Sequence, residues 1–183
     1  MDEKNDLRTR LIRQAMLLLD EQPDELTLRG VARAAGVSAM APYRHFADKA
    51  ALMNTVKESG FASLREVLIE ADRAQNDQAA LVAQGLAYIA FAVAHPALFR
   101  LMFTDPKLDA LSEPPSGDTA YGVLAGRIAK LLPDRAATAV TAAWAMVHGL
   151  ATLTLDGRLP RDSGHARAVL DLFVDGLGRA GQH

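Results

Sequence analysis

The chain contains no cysteine. That excludes disulfides, thiolate zinc sites and a cysteine nucleophile, and it fits a reducing compartment, so a cytoplasmic location is expected. Aromatic residues make up only 5% of the chain, with a single tryptophan, and β-branched residues are sparse beside alanine and leucine. Such a bias favours helices. Charge of either sign is nearly balanced: 20 Lys and Arg against 22 Asp and Glu leave a formal net charge of −2. No global basic field announces a nucleic-acid partner, and any such partner has to be met by a local patch. Five histidines, at 45, 95, 148, 165 and 183, show no metal-ligand spacing such as HExxH, and neither a glycine-rich phosphate loop nor a nucleophile elbow occurs. Acidic pairs fall on charged faces and near helix ends, where carboxylates normally sit. No metal, no cofactor and no catalysis is expected.

What is present is apolar surface. Half of the 183 residues are hydrophobic, enough to bury a core in one domain or in a small domain joined to a larger one. The opening MDEKNDLRTR is charged from its second residue and has no apolar stretch of the signal-peptide kind. Two uncharged stretches, 78–99 and 136–155, approach membrane length. Alanine and threonine dilute them, so they are expected as buried helices of a bundle and not as membrane spans.

Periodicity and punctuation outline the elements. Leu7, Leu11, Ala15 and Leu18 form one stripe of a helix over 5–21 that stops before Pro23. Thr27 reads as the N-cap of a short helix that closes at Gly36, a residue suited to the left-handed conformation after a helix end. Ser38 is expected to cap a third short helix and Asp48 a long fourth one marked by Leu52, Val56, Leu64, Val67 and Leu68. AQNDQ (74–78) breaks the chain, and a helix over about 78–94 ends at His95-Pro96 because proline disfavours helix in the residue before it. One or two further turns follow in ALFRLMF. The stretch 104–118, with three prolines and a glycine, reads as the one long loop. Helices over about 119–132, 135–156 and 163–179 complete an all-α chain with no strand-period segment.

Two short helices joined by a turn holding Gly36 have the spacing of a helix-turn-helix. Spacing alone is weak, because such pairs also occur as plain packing. The side chains add more: Thr27, Val31, Ala32, Ala35, Gly36, Val37, Ser38, Tyr43, His45, Phe46, Lys49 and Leu52 are a dozen positions at fixed spacing over 26 residues. With them the chain resembles the DNA-binding domain of the tetracycline-repressor (TetR) family of transcription regulators. WAMVHG (144–149) looks like the Trp-x-x-x-His-Gly signature of one subgroup's C-terminal domain. The resemblance implies an N-terminal three-helix helix-turn-helix domain over 1–55 and a helical effector-binding and dimerisation domain over 56–183.

It also implies roles. Thr27, Ser38, Tyr43, His45 and Lys49 match positions expected at backbone phosphates, which suit hydroxyl, phenol and ammonium groups and fix register without reading sequence. The Tyr43 ring can pack beside Phe46 while its hydroxyl reaches out, and His45 is equally suited to phosphate contact or packing. Ala39, Met40 and Ala41 lead the expected recognition helix. They offer no major-groove hydrogen bond, but they can meet thymine methyls. Arg29 and Arg44 are the long donors that can reach base edges, phosphate contact being their alternative. Pro42 departs from the hydrophobe the family more often carries. Over 26–49, Arg29, Arg33, Arg44 and Lys49 stand against Asp48 alone, a local net of +3.

For the larger domain, the family implies a homodimer formed by the last two long helices, with Leu150, Leu153, Val169, Leu170, Phe173, Val174 and Leu177 as apolar candidates. An intrachain core is the alternative for each. A small-molecule pocket is implied as well, its candidates being Tyr88, Phe91, Phe99, Met102, Phe103, Tyr121, Trp144 and His148, and again each can be core instead. The expectation is a repressor released from a pseudo-palindromic double-stranded DNA operator by a mainly apolar effector. The competing expectation is a helical small-molecule binder or interaction module that never touches DNA.

Overall fold

A computed structural model describes residues 3–73, 76–104 and 119–180. Among these residues there are eight α-helices and no strand: α1 (Glu3–Glu21), α2 (Leu28–Ala34), α3 (Lys49–Ala71), α4 (Asp77–Ala94), α5 (Pro96–Met102), α6 (Ala120–Leu131), α7 (Ala136–Leu155) and α8 (Ser163–Ala180). The loop expected over 104–118 falls, apart from Thr104, outside the described residues.

The helix ends follow from local chemistry. Thr27 caps α2, its Oγ1 accepting from the Gly30 N–H at 2.9 Å, and Asp48 caps α3 through the Ala51 N–H at 2.8 Å. Asn76 and Thr119 cap α4 and α6 in the same way. Gly36, at φ +67°, closes α2. Its own N–H reaches the Arg33 carbonyl, and the Val37 N–H reaches the Ala32 carbonyl, so two carbonyls at the helix end are satisfied at once. Gly157, at φ +68°, does the same for α7.

The chain divides into two compact units. The first comprises residues 1–60 together with 95–105. Its core joins Leu11 and Ala15 of α1, Val31 and Ala32 of α2, Phe46, and Leu52 and Val56 of α3 to Leu98, Phe99 and Met102 of α5. Each such leucine contributes about 1.5–3 kcal/mol by leaving water. Helix α5 is therefore part of this unit, although the sequence boundary expected near residue 55 lies well before it. Asp20, at the end of α1, explains the recruitment. Its Oδ1 accepts the Ala97 N–H at 2.7 Å, capping α5 from 77 residues away, and its Oδ2 lies 3.6 Å from the His95 ring.

The second unit, residues 61–94 and 106–183, is built around α4, which packs on α6, α7 and α8. Helices α4 and α7 are long and apolar enough to cross a membrane, and here they face each other in the bundle. Arg127 of α6 ties the unit's polar end together. Its Nε and Nη2 hold the Asp72 carboxylate at 2.8 and 2.7 Å, Nη2 also donates to the Asp72 carbonyl, and Nη1 pairs with Asp77 at the start of α4. The Asp72 hydrogen bond, with Asp77 behind it, holds the guanidinium in its charged form.

Candidate nucleic-acid interface and ligand cavity

The segment expected as a third short helix is not α-helical. Pro42 has no N–H for the Ser38 carbonyl, which instead accepts the Ala41 N–H at 2.9 Å, a tighter three-residue step. The Arg44 and His45 amides continue that step to Ala41 and Pro42, so one turn of 3-10 helix, Pro42–Arg44, takes the place of the helix. The Pro42 ring itself is buried.

This turn still presents its side chains outward. Met40 is 66% exposed and Tyr43 44% exposed. Ser38, Ala39, Arg44 and Lys49 are also exposed, as are Thr27 and Arg29 at the start of α2, while Ala41 and His45 are half-buried. Phe46, only 3% exposed, takes the core seat that Tyr43 could have filled, with the Arg8 guanidinium 5.6 Å from its ring centroid. Arg33 pairs with Glu25, which precedes the basic stretch 26–49 and offsets one of its charges. All ten residues expected at DNA thus belong to one small unit, and none of them is buried.

The second unit contains a small cavity of about 30 Å³ that opens to solvent on one side. Tyr88 and Trp144 line it. Their rings meet edge to face at 5.5 Å, and Tyr121 meets Trp144 in the same way at 5.5 Å. His148 adjoins Tyr88, whose hydroxyl lies 2.9 Å from the His148 Nδ1. Burial raises the Tyr88 phenol far above its ordinary range and lowers the His148 imidazole, so both groups are neutral near pH 7. Four of the eight expected pocket residues therefore form one aromatic cluster.

The others go elsewhere. Phe91 is buried on α4 without lining the cavity. Phe99, Met102 and Phe103 pack in the first unit, the two phenylalanine rings 4.9 Å apart, because Pro96 starts a separate helix that joins α1. The residues expected at a dimer interface are divided too. Leu150, Leu170 and Val174 are buried within the protomer, and Leu170, Phe173 and Val174 line the cavity. Gly85 of α4 lets α8 come close, for a Cβ there would lie 2.8 Å from the Leu170 methyls. Leu153, at 40% exposed, and the half-buried Val169 and Leu177 retain outward apolar surface.

Two residues escaped the sequence reading. Leu172, at 76% exposed, is the most exposed large apolar side chain among the described residues, and its signal is an apolar residue out of phase with the core stripe. Gln84 lines the cavity while 3% exposed, and its signal is a lone amide within LVAQGLAYIA.

Comparison with known proteins agrees with this architecture. Residues 11–56 match a family model described as bacterial regulatory proteins, tetR family, and residues 81–177 match one described as tetracyclin repressor-like, C-terminal domain. A protein with unknown function from Rhodococcus sp. RHA1 is 30% identical, with 95% of this chain and 94% of that chain covered and a TM-score of 0.76. A TetR family transcription regulator from Marinobacter aquaeolei VT8 shares the fold at 16% identity, with coverages of 96% and 97% and a TM-score of 0.68. A TetR variant from Acinetobacter baumannii AYE, solved in complex with minocycline, shares it at 21% identity, coverages of 96% and 95%, and a TM-score of 0.64. No curated protein gives a significant match. With one family model matching residues 81–177, more than half of the chain, and another matching residues 11–56, the chain belongs to the TetR family of helix-turn-helix transcription regulators.

Proposed function

We propose that this protein is a homodimeric, cytoplasmic repressor that leaves a pseudo-palindromic operator when a small, mainly apolar molecule enters the second unit, and that it performs no catalysis. The observation that carries the DNA half is the outward presentation of Arg29, Met40, Tyr43, Arg44 and Lys49 around the Gly36 turn. Thr27, Ser38, Tyr43, His45 and Lys49 hold phosphates, and the charge-assisted part of that grip is salt-sensitive. Arg29 and Arg44 read base edges, each worth roughly 1–3 kcal/mol of discrimination, while Ala39, Met40 and Ala41 meet thymine methyls. One module is too small for tight binding, so a dimer presents two of them about 34 Å apart, one turn of DNA. The effector occupies the cavity lined by Tyr88 and Trp144. It releases DNA only if it binds the competent and released states with different affinity.

Fluorescence anisotropy with the DNA upstream of the protein's own gene, across a salt series, tests this reading. Binding that beats scrambled DNA and is lost in Arg44→Ala is expected, whereas equal, weak binding to every genomic fragment tried would overturn it. A second reading, a ligand binder that never touches DNA, draws on the 3-10 turn that replaces a recognition helix. Retention of the wild type on heparin, lost in Arg44→Ala/Lys49→Ala, separates the two.

A further inference from the structure

Gln84, one of the residues lining the cavity, carries an unmet polar atom. Among the described residues, Gln84 Oε1 is the one buried side-chain nitrogen or oxygen without a hydrogen-bond partner. Its orientation is determined by chemistry. The Gln84 Nε2 donates to the Asp72 carboxylate, which accepts only, so the amide nitrogen faces Asp72 and the oxygen faces away. The amide cannot swing freely, because Arg127 grips the same carboxylate at 2.7 and 2.8 Å. A buried carbonyl oxygen left without a donor is destabilising, and a native fold retains one where something else supplies the donor.

The neighbours restrict what that something is. Leu81, Gly85, Leu124 and Trp144 line the same cavity, and among the described residues no cationic side chain does. The Tyr88 hydroxyl is already engaged with His148. An anionic ligand would set its oxygens against another acceptor with no positive charge to offset them. A charged amine would lose its hydration to apolar walls.

We propose that Gln84 Oε1 is the specificity-determining acceptor of the cavity and that the effector is a neutral, mainly apolar molecule with one hydroxyl or N–H donor. This rests on the reading of the cavity as the effector site. The amide also joins the ligand to Asp72 and Arg127, and hence to the end of α3 and the start of α4.

The chain's single tryptophan, Trp144, lies in the cavity wall, so its fluorescence reports occupancy of the full-length protein without DNA. Three matched probes decide the matter: 4-propylphenol, 4-propylanisole and 4-propylbenzoate. The phenol is expected to bind roughly tenfold more tightly than the ether, the worth of one good hydrogen bond, with the benzoate weakest. Gln84→Met, of similar volume, is expected to erase the phenol preference and keep the ether affinity. Equal binding of phenol and ether to the wild type, as a fixed water on Oε1 would give, overturns the inference and leaves the effector site standing. A phenol preference that survives in Gln84→Met also overturns it. Should that variant fail to fold by circular dichroism, the wild-type ratio decides alone. If none of the probes binds, the reading of the cavity as an effector site falls with the inference.

Discussion

The Tyr88 hydroxyl and the His148 Nδ1 stand 2.9 Å apart, a hydrogen bond between two neutral groups joining α4 to α7. Burial keeps the imidazole of His148 below its ordinary value of 6.5. The unfolded chain therefore takes up a proton as pH falls through about 6.5 while the folded chain does not. The sign follows: the folded state is undisturbed above that pH, and its stability declines below it until the folded imidazole also titrates. Urea melts at pH 7.5, 6.5 and 5.5 are expected to show this decline, and His148→Gln is expected to flatten it. An unchanged pH profile in the variant would assign the decline to other groups.

Gly30 admits no side chain. A Cβ there would overlap the Glu25 carbonyl oxygen and crowd the Thr27 Oγ1 that caps α2. Gly30→Ala is expected to lower stability by about 1–3 kcal/mol, the usual range for overpacking, despite alanine's better helix propensity. A urea titration with an unchanged slope and a lower midpoint would register it. A rise in midpoint would mean that the turn before α2 yields at little cost.

Pro42→Leu tests whether proline alone makes the 3-10 turn. The variant regains an N–H for the Ser38 carbonyl, so Cα chemical shifts over residues 39–45 are expected to move toward helical values, with operator affinity changing alongside. If the shifts stay as they are, the packing of the surrounding helices imposes the turn.

Leu172 separates fold from assembly. It is 76% exposed, so Leu172→Asp is expected to leave the protomer's melting unaltered while weakening self-association at least tenfold, because a buried carboxylate at an apolar contact is strongly unfavourable. Sedimentation velocity across a concentration series reads this directly. Undiminished dimerisation in the variant would move the interface away from that face of α8.

Most of the fold was legible because its boundaries are local chemistry. Thr27, Gly36, Asp48 and Pro96 act within a turn of their own positions, and each marks an end that the structure places within a residue or two. The Pro42 turn is just as local, but the family pattern around it pointed to a helix where the structure forms one turn of 3-10 helix. The allegiance of α5 was not legible, since it depends on Asp20 meeting an amide 77 residues away. The candidate site was half legible for a related reason. Trp144 and Phe99 carry the same helical periodicity, and nothing in one sequence says which faces a void and which fills a core. Gln84 carried the better clue, because an amide inside an apolar helix has to meet something.

The capping of α5 by Asp20 has a consequence for how the protein is made. The unit bearing Arg29, Tyr43 and Arg44 is discontinuous along the chain, closing only with residues 95–105. During synthesis its first 60 residues must wait, with the face of α1 that α5 packs on uncovered, until about 40 further residues have left the ribosome. A polypeptide ending after α3 would lack Leu98, Phe99 and Met102 and leave the Asp20 carboxylate without its two amides. The smallest autonomous piece of this unit thus extends past α5, and a fragment trimmed to the helix-turn-helix motif would expose apolar surface that invites aggregation.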